Sequence, residues 1–422
     1  MKFMKKQMIT IVLYIIVISA AIFIIYNVIS ALDAQIVKIS VPGDDYYAFT
    51  RETPENYEPP KTTAAEKTTQ NTTGPLPDDN NSKSTAAVKY TGDLELPVDG
   101  ATGYASVDTE FLSKNEHYLL YTLKAGTAFQ VILESGDWWL ICPDGVTTGW
   151  VQHIYCMINL PDVIPSIIYN NTNAYSSIFR CFYISDINIP GITGGQLYKY
   201  SDRKDGKAYN KRLQKYEYIV PVLYSTAKRI YKAQKYALKN GETLVVYEGY
   251  RPNGAQTRVY KAMLELIEDN PDAQRSFGAW SMTWFIASGI SSHQFGYAID
   301  VSLAKVVEKE EAITGKYKYT QISMCIEYIM PTPVHELSSR AVTFTKGVAV
   351  ESFDAWQNAT LSEGMLKSPK ACDLQKYCTD AGLTPLASEW WQFNDLYTLS
   401  ELTDKCRAEF EIKDCLSVAP EN

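Results

Sequence analysis

The residue types best suited to chemistry fall within one stretch, residues 291–300, which reads Ser-Ser-His-Gln-Phe-Gly-Tyr-Ala-Ile-Asp. His293 and Asp300 are seven residues apart in it. The small residues Gly296 and Ala298 lie between them and allow the backbone to fold closely around a metal or a substrate. An imidazole and a carboxylate form a ligand pair that suits zinc. The stretch therefore predicts that His293 and Asp300 are metal ligands.

Two further stretches carry groups that metal-dependent hydrolysis needs. Residues 247–252 read Tyr-Glu-Gly-Tyr-Arg-Pro, and residues 388–393 read Ser-Glu-Trp-Trp-Gln-Phe. Glu389 is the candidate general base, because aromatic neighbours would raise its pKa toward the working range. It would take a proton from the attacking water and return it to the leaving amine. Arg251 offers a fixed positive fork that can stabilise an oxyanion on the scissile carbonyl.

Together the three stretches resemble the zinc D-Ala-D-Ala carboxypeptidase and D,D-dipeptidase family, which includes the vancomycin-resistance dipeptidases. The family pattern is Ser-x-His-x-x-Gly-x-Ala-x-Asp, then Glu-x-Trp-His, with Tyr-Arg-Pro before both. The chain matches the first and third elements in full, and the resemblance covers roughly residues 160–400. It implies a Zn²⁺ enzyme that hydrolyses D-Ala-D-Ala bonds in peptidoglycan stem peptides or their precursors. It also implies substrate contacts from Ser291 and Tyr250.

One position departs from the family pattern, since Gln392 stands where the family has its third zinc ligand, a histidine. An amide oxygen can coordinate a metal, but it is a neutral and weaker donor than imidazole. His335 could replace it in principle, although substrate contact or local packing are the favoured roles for His335. Two hypotheses follow: an active membrane-anchored zinc D,D-carboxypeptidase, and a catalytically impaired peptidase-like protein that binds the cell wall.

Hydrophobic periodicity and turn signals indicate the elements that position these groups. Asp300 falls on a predicted strand, which would hold it on a rigid element. A β-branched run leads directly into Arg251. The predicted helices cover residues 220–240, 258–268 and 369–381, and the predicted strands cover residues 243–247 and 297–303. Helices and strands are mixed without a βαβ repeat, so residues 157–422 are predicted to form an α+β zinc peptidase domain.

Residues 93–156 have a different composition, with short strand-like runs separated by turn signals. The runs cover residues 128–133, 138–142 and 147–151. Short strands at this spacing predict a small all-β barrel. The order of its Gly, Trp and Asp-Gly signals resembles bacterial SH3-like wall-associated modules. Such a module would either bind cell-wall peptide or act as a spacer that packs on the enzyme.

The sequence of the N-terminal part is typical of a protein that is exported from the cytoplasm. Residues 8–32 contain no charged side chain and follow three lysines, which predicts a transmembrane helix with residues 1–7 in the cytoplasm. A cleaved signal peptide is the alternative. Residues 33–92 are predicted to be a disordered extracellular stalk. The protein would therefore be a single-pass protein of the cell membrane, with its C-terminal domains outside the cytoplasm and facing the bacterial cell wall.

The net charge limits the classes of partner to be expected, and the cysteine content bears on disulfide formation. The net charge of −8 argues against nucleic acid or an anionic surface as the main partner. Eight cysteines could form disulfides outside the membrane, and their connectivity cannot be read from the sequence.

Overall fold

The computed structural model describes residues 96–114, 118–170, 181–182, 188–189, 205–269, 271–289, 291–314 and 317–406. All of these belong to one compact unit, Asp79–Asn422. The predicted transmembrane span at residues 8–32 and the predicted stalk at residues 33–92 lie outside the described residues. Within the described ranges, no helix has both the length and the apolar character needed to cross a bilayer.

The elements are numbered in chain order. The strands are β1 Thr102–Ala105, β2 Thr109–Ser113, β3 Leu119–Leu123, β4 Ala128–Ser135, β5 Trp138–Cys142, β6 Gly149–Gln152, β7 Cys156–Asn159, β8 Ile168–Tyr169, β9 Cys181–Phe182, β10 Asn188–Ile189, β11 Ala208–Asn210, β12 Lys215–Glu217, β13 Pro221–Leu223, β14 Glu242–Glu248, β15 Ala298–Thr314, β16 Tyr317–Glu327, β17 Thr384–Pro385 and β18 Gln392–Asn394. The α-helices are α1 Leu160–Val163, α2 Tyr224–Lys239, α3 Asn253–Asp269, α4 Ser292–Phe295, α5 Glu363–Lys367, α6 Pro369–Asp380 and α7 Leu396–Cys406.

An eight-stranded antiparallel sheet has the order β13-β7-β1-β4-β5-β6-β2-β3. Side chains alternate between the two faces of its central strands, and one face is buried. On that face Val131 of β4 is paired with Ile141 of β5, and both are fully buried. Gly136, with φ +58°, forms the tight turn between those strands. Strand β7 pairs with β1 on one side and with β13 on the other, with Ile158 opposite Val222.

The predicted fold class is wrong. In place of a small all-β barrel preceding a separate α+β domain, the protein is mixed α/β with large antiparallel sheets. The predicted boundary at residues 156/157 falls inside β7, all of whose residues are buried. A buried strand must pair its backbone groups on both edges, so β13 from the C-terminal part completes it. Trp139 also packs on Tyr224 of α2, with ring centroids 4.7 Å apart.

A second, six-stranded sheet has the path β17-β18-β15-β14-β8, with β16 paired to β15. Strand β14 is antiparallel to β15 and parallel to β8. Helix α2 buries an apolar stripe that includes Ala227, Ile230 and Ala237, and it packs on β14 and α6. This sheet and helix α4 carry the predicted site residues His293, Asp300 and Gln392. The other predicted site residues lie in the connections next to these elements: Ser291, Tyr250, Arg251 and Glu389.

The predicted helices and strands are confirmed with shifted ends. Helix α2 begins at Tyr224 rather than near residue 220, because residues 221–223 pair with β7 as a strand. Helix α3 begins at Asn253, directly after Pro252. The cysteines whose side chains the structure describes are free thiols: Cys142, Cys156, Cys325, Cys372 and Cys378.

Candidate active site

Three neighbouring strands bring polar residues into line across one face of the second sheet. Asp300 on β15 lies opposite Glu248 on β14 and opposite Gln392 on β18. Directly opposed residues of antiparallel strands project to the same face. A β-bulge between Val246 and Glu248 shifts the register at the end of β14. The carboxylate of Asp300 therefore lies at the centre of the row, with one polar side chain on either side.

His293 reaches this row from the short helix α4. Ser291 and Gln294 form a reciprocal capping box at its start, and Gly296, with φ +78°, ends it. The His293 ring is oriented by its own Nδ1, which lies 2.7 Å from the backbone carbonyl oxygen of Gly249 and donates to it. Its Nε2 consequently points toward Asp300 and lies 3.3 Å from Oδ1 of that carboxylate.

The donor atoms at this point fit a bound cation. His293 Nε2 and Asp300 Oδ1 are both buried, and neither has a hydrogen-bond partner among the described residues. Buried polar atoms without partners are costly, and a cation between them would satisfy both. Ligand atoms of Glu248, His293 and Asp300 lie within 4.8 Å of one another, so this buried group could hold a metal ion.

Arg251 is held beside these residues by a buried ion pair. Its Nε donates to Glu248 Oε1 at 3.0 Å, and its second terminal nitrogen contacts Oε2 of the same carboxylate. The other terminal nitrogen donates to Gln256 Oε1 at 2.7 Å. Burial raises the pKa of Glu248, but the Arg251 charge outweighs it and keeps that pKa below its ordinary value. The guanidinium lies 3.8 Å from Asp300 Oδ2 and is pre-oriented toward the site.

Two buried carboxylates of the site differ in proton affinity. Burial and the nearby Asp300 charge raise the pKa of Glu389 well above its ordinary value. Burial also favours the neutral form of Asp300, but the facing His293 and His335 rings keep the pKa of Asp300 below its ordinary value. The pKa of His293 is raised, since the attraction of Asp300 outweighs the opposing effect of burial. Asp300 is thus the fixed anion, and Glu389 is the group suited to carry a proton.

The structure also brings His335 to the site. Its Nε2 lies 2.8 Å from Asp300 Oδ2, and its ring packs edge-on against Trp391 and Tyr247. His335 is 1% exposed and has a left-handed backbone, with φ +63°. The sequence favoured substrate contact or packing for this residue, because nothing in the chain order links position 335 to Asp300.

Gln392 lies in the row, but its amide nitrogen is hydrogen-bonded to residues other than Asp300. Its Nε2 donates to Ser292 Oγ at 3.1 Å and to Asn394 Oδ1 at 3.3 Å. These contacts fix the side chain against α4 and its own strand. Gln392 therefore forms part of the wall of the site.

A cavity of about 350 Å³ adjoins Asp300 and is lined by several of these groups. Its polar lining includes Ser291, Arg251, Asp300, His335, Glu389 and Gln392. Aromatic side chains, Trp284 and Phe295 among them, form an apolar part of its wall. Tyr250 lies apart from this cavity: it is 1% exposed and packs with Tyr104 and Met157. The structure thus brings together all the predicted site residues except Tyr250.

Two residues of the site were missed by sequence reasoning. Glu248 ends a buried, β-branched strand three residues before Arg251, and an acidic residue in that position was a usable signal for a buried ion pair. Gln256 holds the guanidinium from the first turn of α3. No local pattern indicates that contact, because it depends on how α3 packs.

Neither a scan against protein-family models nor a search of curated proteins finds a match for this chain. The geometry of the site and the motif resemblance are therefore the basis for inferring its function.

Proposed function

We propose that the protein is a zinc-dependent D,D-carboxypeptidase that hydrolyses D-Ala-D-Ala bonds in peptidoglycan stem peptides or their precursors. One observation carries the proposal: the unsatisfied atoms His293 Nε2 and Asp300 Oδ1 face one another beside the same cavity that Arg251 and Glu389 line. Metal ligands, an acid–base carboxylate and a fixed cation are the groups that peptide hydrolysis by this class of enzyme requires.

His293 and Asp300 would hold the metal, and their nitrogen and oxygen donors suit zinc. When bound, zinc supplies Lewis acidity that polarises the scissile carbonyl and lowers the pKa of the attacking water. Glu389 takes a proton from that water and passes it to the leaving amine nitrogen, for which its burial and high proton affinity suit it. Arg251, held by Glu248 and Gln256, stabilises negative charge on the carbonyl oxygen.

The shape of the cavity supports a short peptide end as the substrate. Its volume of about 350 Å³ lies near the lower end of the usual range for ligand sites, about 300–1,000 Å³. The aromatic wall, with Trp284 and Phe295, offers an apolar surface to alanine methyl groups, and Ser291 offers a hydroxyl to the peptide backbone. The partner would be the stem peptide of the bacterial wall.

A second candidate is a catalytically impaired peptidase-like protein that binds the cell wall. The observation in its favour is the engagement of the Gln392 amide by Ser292 and Asn394, at the position where the family has its third ligand. In that case the cavity would still bind a D-Ala-D-Ala end but would not cleave it.

Metal content measured together with D-alanine release separates the two candidates. The purified full-length chain is loaded with zinc and given a synthetic peptide that ends in D-Ala-D-Ala, with the L-Ala-L-Ala peptide as the matched control. We expect free D-alanine from the first peptide alone, loss of activity with a chelator, and recovery with zinc. His293→Ala should lose both zinc and activity. Stoichiometric zinc without any D-alanine release would refute the enzyme and favour the binding protein.

A further inference from the structure

We propose that the solvent side of helix α2 is a docking surface for a linear polymer whose negative charges are phosphodiesters. All four lysines of this helix follow one another at intervals of four, three and four residues, and we name them the lysine stripe: Lys228, Lys232, Lys235 and Lys239. With 3.6 residues per turn, these positions fall within about 60° of one another around the helix axis. They lie on the side opposite the buried apolar residues of the helix. This surface goes beyond the proposed function and does not depend on the metal site.

The lysine stripe differs from the way in which lysines are placed on other helices of this protein. In α5, Lys367 Nζ lies 2.5 Å from Glu363 Oε1, one turn earlier in the helix. In α6, Lys376 Nζ lies 2.6 Å from Asp380 Oδ2, one turn later. Helix α2 contains no acidic residue, so its lysines are one another's neighbours at i,i+3 and i,i+4. Like charges at these spacings destabilise a helix, and a polyanion bound along the stripe would remove that repulsion.

The protein itself supplies few counterions for the stripe. Lys228 Nζ lies 4.0 Å from Glu134 Oε1, at the outer limit of an ion pair. Within the part of the chain that the structure describes, Lys232 and Lys239 have no ion-pair partner. Their nitrogens lie instead 6.0 and 5.8 Å from the centroid of the Tyr236 ring. The positive charges of Lys232 and Lys239 are therefore open to neutralisation by a ligand.

The acidic character of the whole chain does not oppose such a contact. The net charge is −8, yet residues 205–240 contain nine basic and only two acidic residues. At physiological ionic strength, charges in solvent are largely screened from one another beyond about 8 Å. A polyanion at the surface of α2 consequently experiences the local positive charge more strongly than the charge of distant carboxylates.

The shape of the stripe favours a linear polymer over a membrane surface. The stripe extends for about 16 Å along the helix axis and is one side chain wide. A helix that lies on a bilayer also needs large apolar side chains that insert between the lipids. Among the residues that the structure describes, none of the exposed large apolar side chains belongs to α2. The helix thus offers charge without an apolar face to insert.

The tyrosines beside the stripe favour a polymer that carries no bases. Single-stranded nucleic acids bind on exposed aromatic rings that stack with successive bases. Tyr224 and Tyr231 are only 1% and 9% exposed. The Lys228 nitrogen lies 4.3 Å from the ring centroid of Tyr224. The Lys235 nitrogen lies 5.6 Å from that of Tyr231. These rings support the lysines and are not open to bases, so a polymer such as poly(glycerol phosphate) is the partner that fits.

The salt dependence of poly(glycerol phosphate) binding to the full-length chain tests the proposal. By the behaviour of single strands, each neutralised phosphate contributes about −0.7 to the slope of log affinity against log salt, so four contacts predict about −2.8. The affinity should then fall about 50-fold between about 50 and 200 mM salt. Lys232→Gln combined with Lys239→Gln should halve the slope. The matched control is Lys367→Gln combined with Lys376→Gln, which removes two paired lysines and should keep the natural slope.

Thermal unfolding of the variants separates loss of binding from loss of fold. Glutamine is a good helix former, and its introduction at positions 232 and 239 relieves repulsion, so that variant should be at least as stable as the natural chain. A natural chain that does not bind the polymer at about 50 mM salt would refute the proposal. Equal slopes for the two double variants would do the same.

Competition at equal phosphate concentration tests the class of partner. We expect the polymer to be displaced less readily by an oligothymidylate or by phosphatidylglycerol vesicles than by unlabelled polymer. More effective displacement by the oligonucleotide would overturn the proposal in favour of a nucleic-acid site, and more effective displacement by the vesicles would overturn it in favour of a lipid surface. The proposed peptidase activity is tested separately, by D-alanine release.

Discussion

Glu389 and Asp300 are buried carboxylates at one cavity, yet their surroundings shift their pKa values in opposite directions. We predict that Glu389→Gln lowers D-alanine release about 10²–10⁴-fold, the usual contribution of a general base, while zinc stays bound. Glu351→Gln is the matched control, because Glu351 also lines the cavity but is exposed. The measurement is the rate of release alongside metal content. Parallel loss of zinc in Glu389→Gln would make Glu389 a ligand and not a base.

The surroundings of His153 should make the free energy of unfolding depend on pH. Its Nε2 lies 3.0 Å from the Gly136 carbonyl oxygen. Burial and the charge of Lys228 lower the pKa of His153 to about 4. Glu134 Oε1 lies 3.4 Å from the ring, but Lys228 lies 4.0 Å from that oxygen and offsets its charge. Because the folded protein holds the ring neutral, the unfolded chain binds its proton first as pH falls.

The free energy of unfolding should therefore decrease between about pH 6.5, the ordinary pKa of histidine, and about pH 4, the pKa of His153 in the folded protein. The full effect is at most about 3.4 kcal/mol at the acid end. His153→Gln keeps an amide donor for Gly136 and does not titrate. Denaturant unfolding at several pH values should show a shallower decrease in this variant. An identical pH dependence in both proteins would show that His153 is not kept neutral.

At the scale of elements, the turn that ends α4 has no room for a side chain at Gly296. Gly296 has φ +78°, and a Cβ there would lie 2.9 Å from the Met157 sulfur and 3.3 Å from the Leu223 nitrogen. Gly296→Ala should lower the free energy of unfolding by about 1–3 kcal/mol and weaken zinc binding, because the displaced turn carries His293. Gly289→Ala is the control, since no atom lies within 4 Å of its Cβ position. Equal denaturation midpoints for the two variants would show that position 296 does not require glycine.

The elements also show where sequence reasoning succeeds and where it stops. Helix α2 has a long periodic pattern and is predicted close to its position. Strand β15 is predicted only over its first part, residues 297–303, although it continues to Thr314. Strand β13 was missed because its three residues carry no periodicity, and only β7 in space makes them a strand. Asp300 is identifiable because it lies within a local sequence motif. His335 is not, because only the packing of its loop on Trp391 brings it to Asp300.

At the scale of the whole molecule, the first sheet is shared between the N-terminal strands and β13 from the C-terminal part. Residues 93–160 alone would expose the edge of β7 and the face of Trp139 that packs on Tyr224. We predict that this fragment shows no cooperative thermal unfolding, whereas the full-length chain does. The measurement is tryptophan fluorescence and circular dichroism during heating. A fragment with a sharp transition at the temperature of the full-length chain would establish the N-terminal strands as an independent domain.

The left-handed backbone at His335 also limits how this position can change over generations. Asn and Asp tolerate that backbone best, and the codons of both are one nucleotide away from those of histidine. Asp would place a second negative charge against Asp300, and Asn would remove the imidazole while leaving the loop intact. The two substitutions that this backbone tolerates best are thus ones that remove the imidazole from Asp300 while the loop keeps its conformation. A lineage in which the site is no longer under selection would change early at this position and keep its fold.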